Sequence, residues 1–453
     1  MASSTAERWH DLRDCAAGLF AGRDAVGGAI GIVADGETHS AGFGVTNLEH
    51  PLDVTTDTLF QIGSITKTIT ATVILRLAEL GKLDLDARVR AYLPDFRVQD
   101  EEASERATLR HLLTHTAGWT GDFFADTGDG EDAARRYVAE MTALEQLAPI
   151  GELYSYNNAG FYLAGRLIEV VTDQAYEAAA REIVLDPVGM GTAHFRPHDV
   201  MTHRFAAGHT SSDTGPAVAR RWDLPRAAWP AGGLVCSIDD LLRYGRFALG
   251  DGATEGEGRV LMAESMAGMR APEVAIRDGA ACGLAWHLRE IDGVTLVEHS
   301  GATNGQYAFL SVAPERGFVC ASMANSPVSL AEAHRLAFKT FLGLTEPVSQ
   351  PLESTSDELA AFAGSYHREP ASMEVEMVGD RLVAVVTSHW GFPDKDKPPT
   401  EAYQPFSVAR CGPDRLLITD GSAKGRTMDV VRGRDGGIRW IRHGGRLYAA
   451  SGA

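Results

Sequence analysis

Lysine is nearly absent from this chain. Six residues carry it (Lys67, Lys82, Lys339, Lys395, Lys397 and Lys424), among 42 lysines and arginines in 453 residues. Positive charge is short overall: 61 acidic residues give a formal net charge of −19. That balance argues against a nucleic-acid or anionic-membrane partner, since both demand basic surface. Cysteine is sparse too. Cys15, Cys236, Cys282, Cys320 and Cys411 show no Cys-x-x-Cys spacing, so they read as buried thiols and not as a disulfide frame or zinc site. No run reaches the ~18–20 apolar residues that span a bilayer. The first residues, Met-Ala-Ser-Ser-Thr-Ala-Glu-Arg, lack the basic and apolar regions of a secretory signal. A cytoplasmic protein is the expectation. Histidine pairs offer no metal motif either: His111 and His115 stand at i, i+4, but Leu112 occupies the place of the glutamate in His-Glu-x-x-His. No metal and no cofactor is called for.

What is present is an ordinary apolar fraction, 44%, in a chain long enough for more than one core. Residues 27–47 read as a hairpin, with Ala29–Ala34 and Thr38–Val45 flanking the turn Asp35-Gly36. From about 83 to 292 the pattern is mostly helical with long loops, including a helix over Tyr156–Thr172 and one opened by a capping box at Ser237-Ile-Asp-Asp240. Strands return at Val294–Glu298, Tyr307–Val312 and Phe318–Met323, followed by a helix over Leu330–Phe341. The order predicts an antiparallel sheet built from both ends of this region, flanked by helices, with a helical domain inserted. Residues 346–356 are a linker by composition, and 357–453 alternate with a period of two, as in a small all-β domain closing into a barrel or a curled sheet.

One of the scarce lysines stands in Phe60-Gln-Ile-Gly-Ser64-Ile-Thr-Lys67, where an apolar helix begins. Positions i and i+3 share a helix face, so the amine can reach the hydroxyl. A serine is a weak nucleophile until a base takes its proton, and a lysine on an apolar wall at a helix N-terminus can become that base. Tyr156-Asn-Asn158 opens another helix and offers a phenol for proton transfer with an amide beside it. His299-Ser-Gly301-Ala302 ends a strand, where glycine lets another backbone lie close and amides can face an oxyanion.

These three motifs, in this order, resemble the serine β-lactamase and penicillin-binding-protein superfamily in its class C-like branch. The resemblance covers roughly residues 10–345. Supporting strings are Leu109-Arg-His-Leu-Leu-Thr-His-Thr-Ala-Gly118 and Pro230-Ala-Gly-Gly-Leu-Val235. It implies a β-lactamase/transpeptidase-like catalytic domain over 1–345 and a lipocalin-like barrel over 357–453. Ser64 would be acylated, Lys67 would be its base partner, and Tyr156 would relay the proton with Asn158 in support. The amides of Ser64 and Ala302, beside Gly301, would hold the oxyanion. The third motif has His299 where the family often has lysine, which disfavours efficient β-lactam hydrolysis. Trp119 and Trp229 flank the supporting strings, either as cleft walls gripping an acyl group or as core. Arg446 could bind a carboxylate bidentately or be an exposed strand arginine.

The implied activity is acyl transfer or hydrolysis through an acyl-enzyme. The favoured form is a stand-alone thioesterase that takes a nonribosomal peptide from a peptidyl carrier protein and cyclises it, with a D-residue at the acylating position. A D-aminopeptidase or amidase and an esterase share the same motifs. A sensor that binds penicillin without turnover is the alternative of another class.

Overall fold

A computed structural model describes residues 4–22, 24–212, 215–256, 258–399 and 404–451. Contacts divide the chain into two compact units. One comprises Met1–Ala87, Thr127–Arg135 and Phe161–Glu346, the other Arg88–Asp126, Arg136–Gly160 and Pro347–Ala453.

The first unit is built on an eight-stranded sheet. From one edge to the other its strands are Glu37–Gly44, Gly27–Ala34, Phe318–Ala324, Tyr307–Ala313, Val294–Ala302, His287–Ile291, Ala280–Cys282 and Val274–Arg277. Every pairing is antiparallel. The first hairpin turns on Asp35 and Gly36, with φ of 52° and 81°, the left-handed pair that matches strand twist in a two-residue loop. Gly27–Ala34 is buried along its whole length, because both of its faces are covered. Ile30 and Ile32 join Leu12, Ala16, Phe318, Ala333 and Phe338 in one core, under the helices Thr5–Phe20 and Leu330–Ala337. On the alternate face Gly31 leaves room for Leu242 of the Ile238–Leu249 helix: a Cβ there would stand 2.5 Å from its Cδ1.

Sequence and structure differ at particular places. Strands Val274–Arg277, Ala280–Cys282 and His287–Ile291 extend the sheet inside the stretch expected to be helical. They are three to five residues long, and the middle one is Ala-Ala-Cys, of weak strand preference; pairing with the neighbouring strand makes them strands. The Ser237 capping box is half formed. Ser237 Oγ accepts from the Asp240 amide at 3.2 Å, but the Asp240 carboxylate is taken by the amide and hydroxyl of Thr192 and by Arg243. The helix expected over Leu330–Phe341 runs from Leu330 to Ala337 and widens into a π turn over Phe338–Leu342.

The second unit carries a closed antiparallel barrel of eight strands between Gly364 and Ala450. Alternate residues point inward: Met373 and Val375, Leu382, Ala384 and Val386, Leu416 and Ile418, with Tyr366, Phe406, Met428 and Ile441. These side chains fill the lumen, so the barrel is a packed core. Among the described residues no helix is long and apolar enough to cross a membrane.

Candidate active site

Between residues 58 and 75 every residue is buried except Ser64. Ser64 lies in a 3-10 turn, Gly63–Ile65, that leads into the Thr66–Glu79 helix; it precedes the helix where the sequence placed it at the start. Thr66 pins this turn. Its hydroxyl donates to the Gly63 carbonyl at 2.7 Å and accepts from the Leu234 amide at 3.2 Å. Lys67 is fully buried in the first turn of the helix. Its Nζ donates to Ser64 Oγ at 3.0 Å and to the Ala231 carbonyl at 2.7 Å, and lies 5.5 Å from the centre of the Phe161 ring. The Trp229–Gly232 turn, opening one of the strings singled out in the sequence, therefore aims the amine.

The third motif meets the same turn. A Cβ on Gly301 would stand 1.9 Å from the Ile62 carbonyl oxygen and 2.9 Å from the Ser64 nitrogen. A Cβ on Gly63 would stand 2.6 Å from the Ala302 nitrogen, and its φ of 52° is left-handed. Two glycines thus let the Val294–Ala302 strand lie directly on the backbone of residues 62–64, and the amides of Ser64 and Ala302 border this close approach. His299 is 1% exposed and stacks on His287 with ring centres 4.9 Å apart. Burial, then the neighbouring His287 and the Lys67 cation, push its pKa well below the ordinary imidazole value, against the opposing hydrogen bond to Ser300. The neutral ring donates from Nδ1 to the Ser300 carbonyl at 2.7 Å, which leaves Nε2 as the acceptor nitrogen.

Trp229 is buried. Its ring stacks on Phe195 at 6.1 Å, and its centre lies 5.6 and 5.8 Å from the guanidinium carbons of Arg226 and Arg196. Both arginines bond Glu177.

The second unit gathers the remaining residues. Tyr156 donates its amide to the Gly445 carbonyl at 2.9 Å, stacks on the His115 ring at 4.5 Å, and has the Arg446 guanidinium carbon 4.5 Å from its ring centre. The expected helix begins at Asn158, two residues later than read. Asn157 explains this: its Oδ1 accepts from the Gly160 amide at 2.8 Å, as an N-cap does, while its Nδ2 donates to the Trp119 carbonyl at 3.0 Å. Trp119 itself is 1% exposed and packs on Phe96. Asn158 Nδ2 donates to Asp122 Oδ1 at 2.8 Å. Arg446 donates from Nε and Nη2 to the same carboxylate, at 3.1 and 3.3 Å, and from Nη1 to the Gly444 carbonyl at 2.7 Å. Arg368 adds a further bond to Asp122 at 2.7 Å. Burial raises the Asp122 pKa, but Arg446 and Arg368 more than offset this and hold it far below the usual carboxylate range. Histidines 111 and 115 are spent locally: His111 closes a capping box with Thr108, and His115 Nδ1 accepts from the Asn157 amide.

Asp122, Arg368 and Ala231 were not found from sequence. Asp122 is 246 residues from Arg368 and 324 from Arg446, so no local spacing could announce the cluster. Ala231 acts through its carbonyl, which every residue has.

The serine–lysine pair thus lies under a close strand, on an antiparallel sheet with helices on both faces. The chain belongs to the beta-lactamase family, whose model matches residues 12–344. It is 35% identical to penicillin-binding protein 4 of Amycolatopsis lactamdurans, over 76% of this chain and 93% of that protein. It is 26% identical to an unguisins hydrolase of Aspergillus campestris, over 67% of this chain, and spans 59% of that protein's length. In fold it resembles SurE, seen in a crystal structure with D-Leu, with a TM-score of 0.77 and 24% identity over 99% of this chain and all of that one. The octameric penicillin-binding protein homologue from Pyrococcus abyssi follows at 0.67 and 23%, over 97% and 99%.

Proposed function

We propose that this protein forms an acyl-enzyme on Ser64. The 3.0 Å contact between Lys67 Nζ and Ser64 Oγ carries this reading: a buried amine in hydrogen-bond reach of the one accessible hydroxyl on the helix start is the arrangement that activates serine. Lys67 and Tyr156 handle the proton. As Ser64 Oγ bonds to the acyl carbon, its proton passes to this pair and then to the leaving group. The amides of Ser64 and Ala302 take the developing oxyanion, and His299 belongs to the strand that carries the Ala302 amide. The role given to Tyr156 rests on the Tyr156-x-Asn158 motif and on family membership.

Within that chemistry we favour off-loading and macrocyclisation of a nonribosomal peptide whose acylating residue has the D configuration, delivered by a peptidyl carrier protein. The barrel supports this reading, because the likeness to SurE extends over the whole chain and that protein's structure holds D-Leu. The unguisins hydrolase relative supports a second reading, in which water takes the acyl group from a peptide substrate. One experiment separates them. A peptidyl thioester with a D-residue at its C-terminus and a free N-terminal amine is offered to the protein, and the product is weighed. A cyclic product supports macrocyclisation, and linear acid alone supports hydrolysis. No Ser64-dependent product from this or any ester, amide or β-lactam substrate would remove the acyl-enzyme reading.

A further inference from the structure

We propose that Arg368, Asp122 and Arg446 form one charge-setting cluster for the Tyr156 phenol, with Arg368 and Asp122 as positioning residues that never meet the substrate. The inference rests on the relay role proposed for Tyr156.

One carboxylate serves two guanidinium groups, so the cluster keeps a net charge of one positive. The carboxylate is buried, and Arg368 is 13% exposed at its side chain. Arg446 is oriented by three bonds, two to Asp122 and one to Gly444, and lies over the Tyr156 ring. The same Asp122 holds Asn158 Nδ2, so one carboxylate ties the motif asparagine to the cation at the motif tyrosine. The hairpin bearing Arg446 also holds the chain at this point. Gly445 accepts the Tyr156 amide, the Leu447 amide donates to Ser155 Oγ at 3.2 Å, and Arg442 Nε donates to the Tyr154 carbonyl at 3.1 Å. All three charges persist over the working pH range: Asp122 is held low, and the pKa values of Arg368 and Arg446, which burial lowers, are raised beyond their ordinary value by Asp122. Other ionisable groups of this unit near Tyr156 include His115, stacked on its ring, and Tyr154, edge-on to that imidazole at 5.7 Å. Beyond them lie Arg442 over Tyr154, and His443, whose pKa falls to about 4 through burial and nearby arginines.

A net cation beside a phenol favours the phenolate. In the relay proposed above, the phenolate form accepts the Ser64 proton during acylation and returns it to the leaving group, so the proton count closes.

The cluster makes a prediction of sign that structural damage cannot imitate. Asp122→Asn raises the net charge by one, and Arg368→Gln lowers it by one. Full-length protein labelled with 13Cζ-tyrosine is titrated, with the Tyr156 line assigned by its loss in Tyr156→Phe. Asp122→Asn should move the midpoint of that line to lower pH and Arg368→Gln to higher pH, each on the order of half to one pH unit. The double variant should return near the wild-type midpoint, and so should Arg368→Lys, which keeps the charge. If Asp122→Asn does not fold, the comparison of Arg368→Gln with Arg368→Lys carries the test alone. Shifts of the same sign, or none, would overturn the cluster's role. Failure of the underlying reading is separately visible: Ser64 labelling by a fluorophosphonate would then be as fast in Tyr156→Phe as in wild type.

Discussion

Lys67 Nζ sits 2.7 Å from the carbonyl oxygen of Ala231 and 3.0 Å from Ser64 Oγ. The carbonyl accepts one hydrogen bond from the amine without supplying a counter-charge, and Ser64 Oγ accepts another. A carboxylate in the same place would hold the ammonium form and oppose its use as a base.

The pair can be tested by changing one member at a time. Lys67→Met is expected to lower the rate of Ser64 acylation by about 10²–10⁴-fold, the range that a positioned proton-transfer group contributes. Ser64→Ala should remove acylation altogether. Intact-mass measurement after exposure to an activated ester reads both, and a Lys67→Met rate within tenfold of wild type would refute the assignment.

The contact between Gly301 and the Ile62 carbonyl predicts that Gly301→Ala is far costlier than its size suggests. Its Cβ would fall 1.9 Å from backbone oxygen, which cannot step aside as a side chain can. Overpacking typically costs about 1–3 kcal/mol, and the shift would fall on the Ser64 and Ala302 amides. A loss of at least a hundredfold in kcat/KM with a measurable drop in stability is expected. Gly268→Ala, at a helical position where nothing lies within 4 Å of the added carbon, is the control and should leave kcat/KM unchanged, with stability unchanged or raised by up to about 1 kcal/mol.

Buried neutral histidines should make this protein acid-sensitive. Burial and then Arg289 lower the His334 pKa from 6.5 to about 3, while Ser311 and Ser322 flank its two nitrogens at 2.9 Å. The folded pKa lies below the unfolded one, so the unfolded chain takes up the proton first. Stability is full above about pH 6.5 and is lost as pH falls from there toward 3, at up to about 1.4 kcal/mol per pH unit for this group. His299 and His443 act in the same direction. In His334→Gln the slope of unfolding free energy between pH 6 and 4 should be shallower by about that amount; an unchanged slope counts against the assignment.

Arg226 predicts a compensated loss. It is 9% exposed, bonds Glu177 at 2.9 Å and flanks Trp229. Arg226→Met strands part of the Glu177 charge, although Arg196 still bonds it, so the cost should fall near the lower end of the ~3–5 kcal/mol seen for broken buried pairs. Adding Glu177→Gln should recover part of the loss in a denaturant-unfolding cycle. If the double variant is less stable than the single by the full cost of Glu177→Gln alone, the two residues are not coupled.

Much of this protein was legible one segment at a time. The Asp35-Gly36 hairpin, the strands at 294–323 and the Ser64/Lys67 spacing each follow from short-range chemistry: left-handed turn residues, short apolar runs bounded by turns, and helix faces shared at i and i+3. The three motifs and their order were enough to expect the family. Other features answered only to distant partners. Ala280-Ala-Cys282 is a strand because its neighbours pair with it. Asp240, expected to complete a cap, serves Thr192 and Arg243 instead.

The sequence by itself determined which groups could do chemistry: a serine, a scarce lysine, a tyrosine and a histidine, at spacings set by helix and strand geometry. Only the tertiary structure decided what each of them touches. Ala231 receives Lys67 through a backbone atom common to all residues, and Asp122 meets Arg446 across 324 positions of chain. Hydrogen bonds and charge act over a few ångströms of space and not along the chain, so such pairs leave no trace in local spacing.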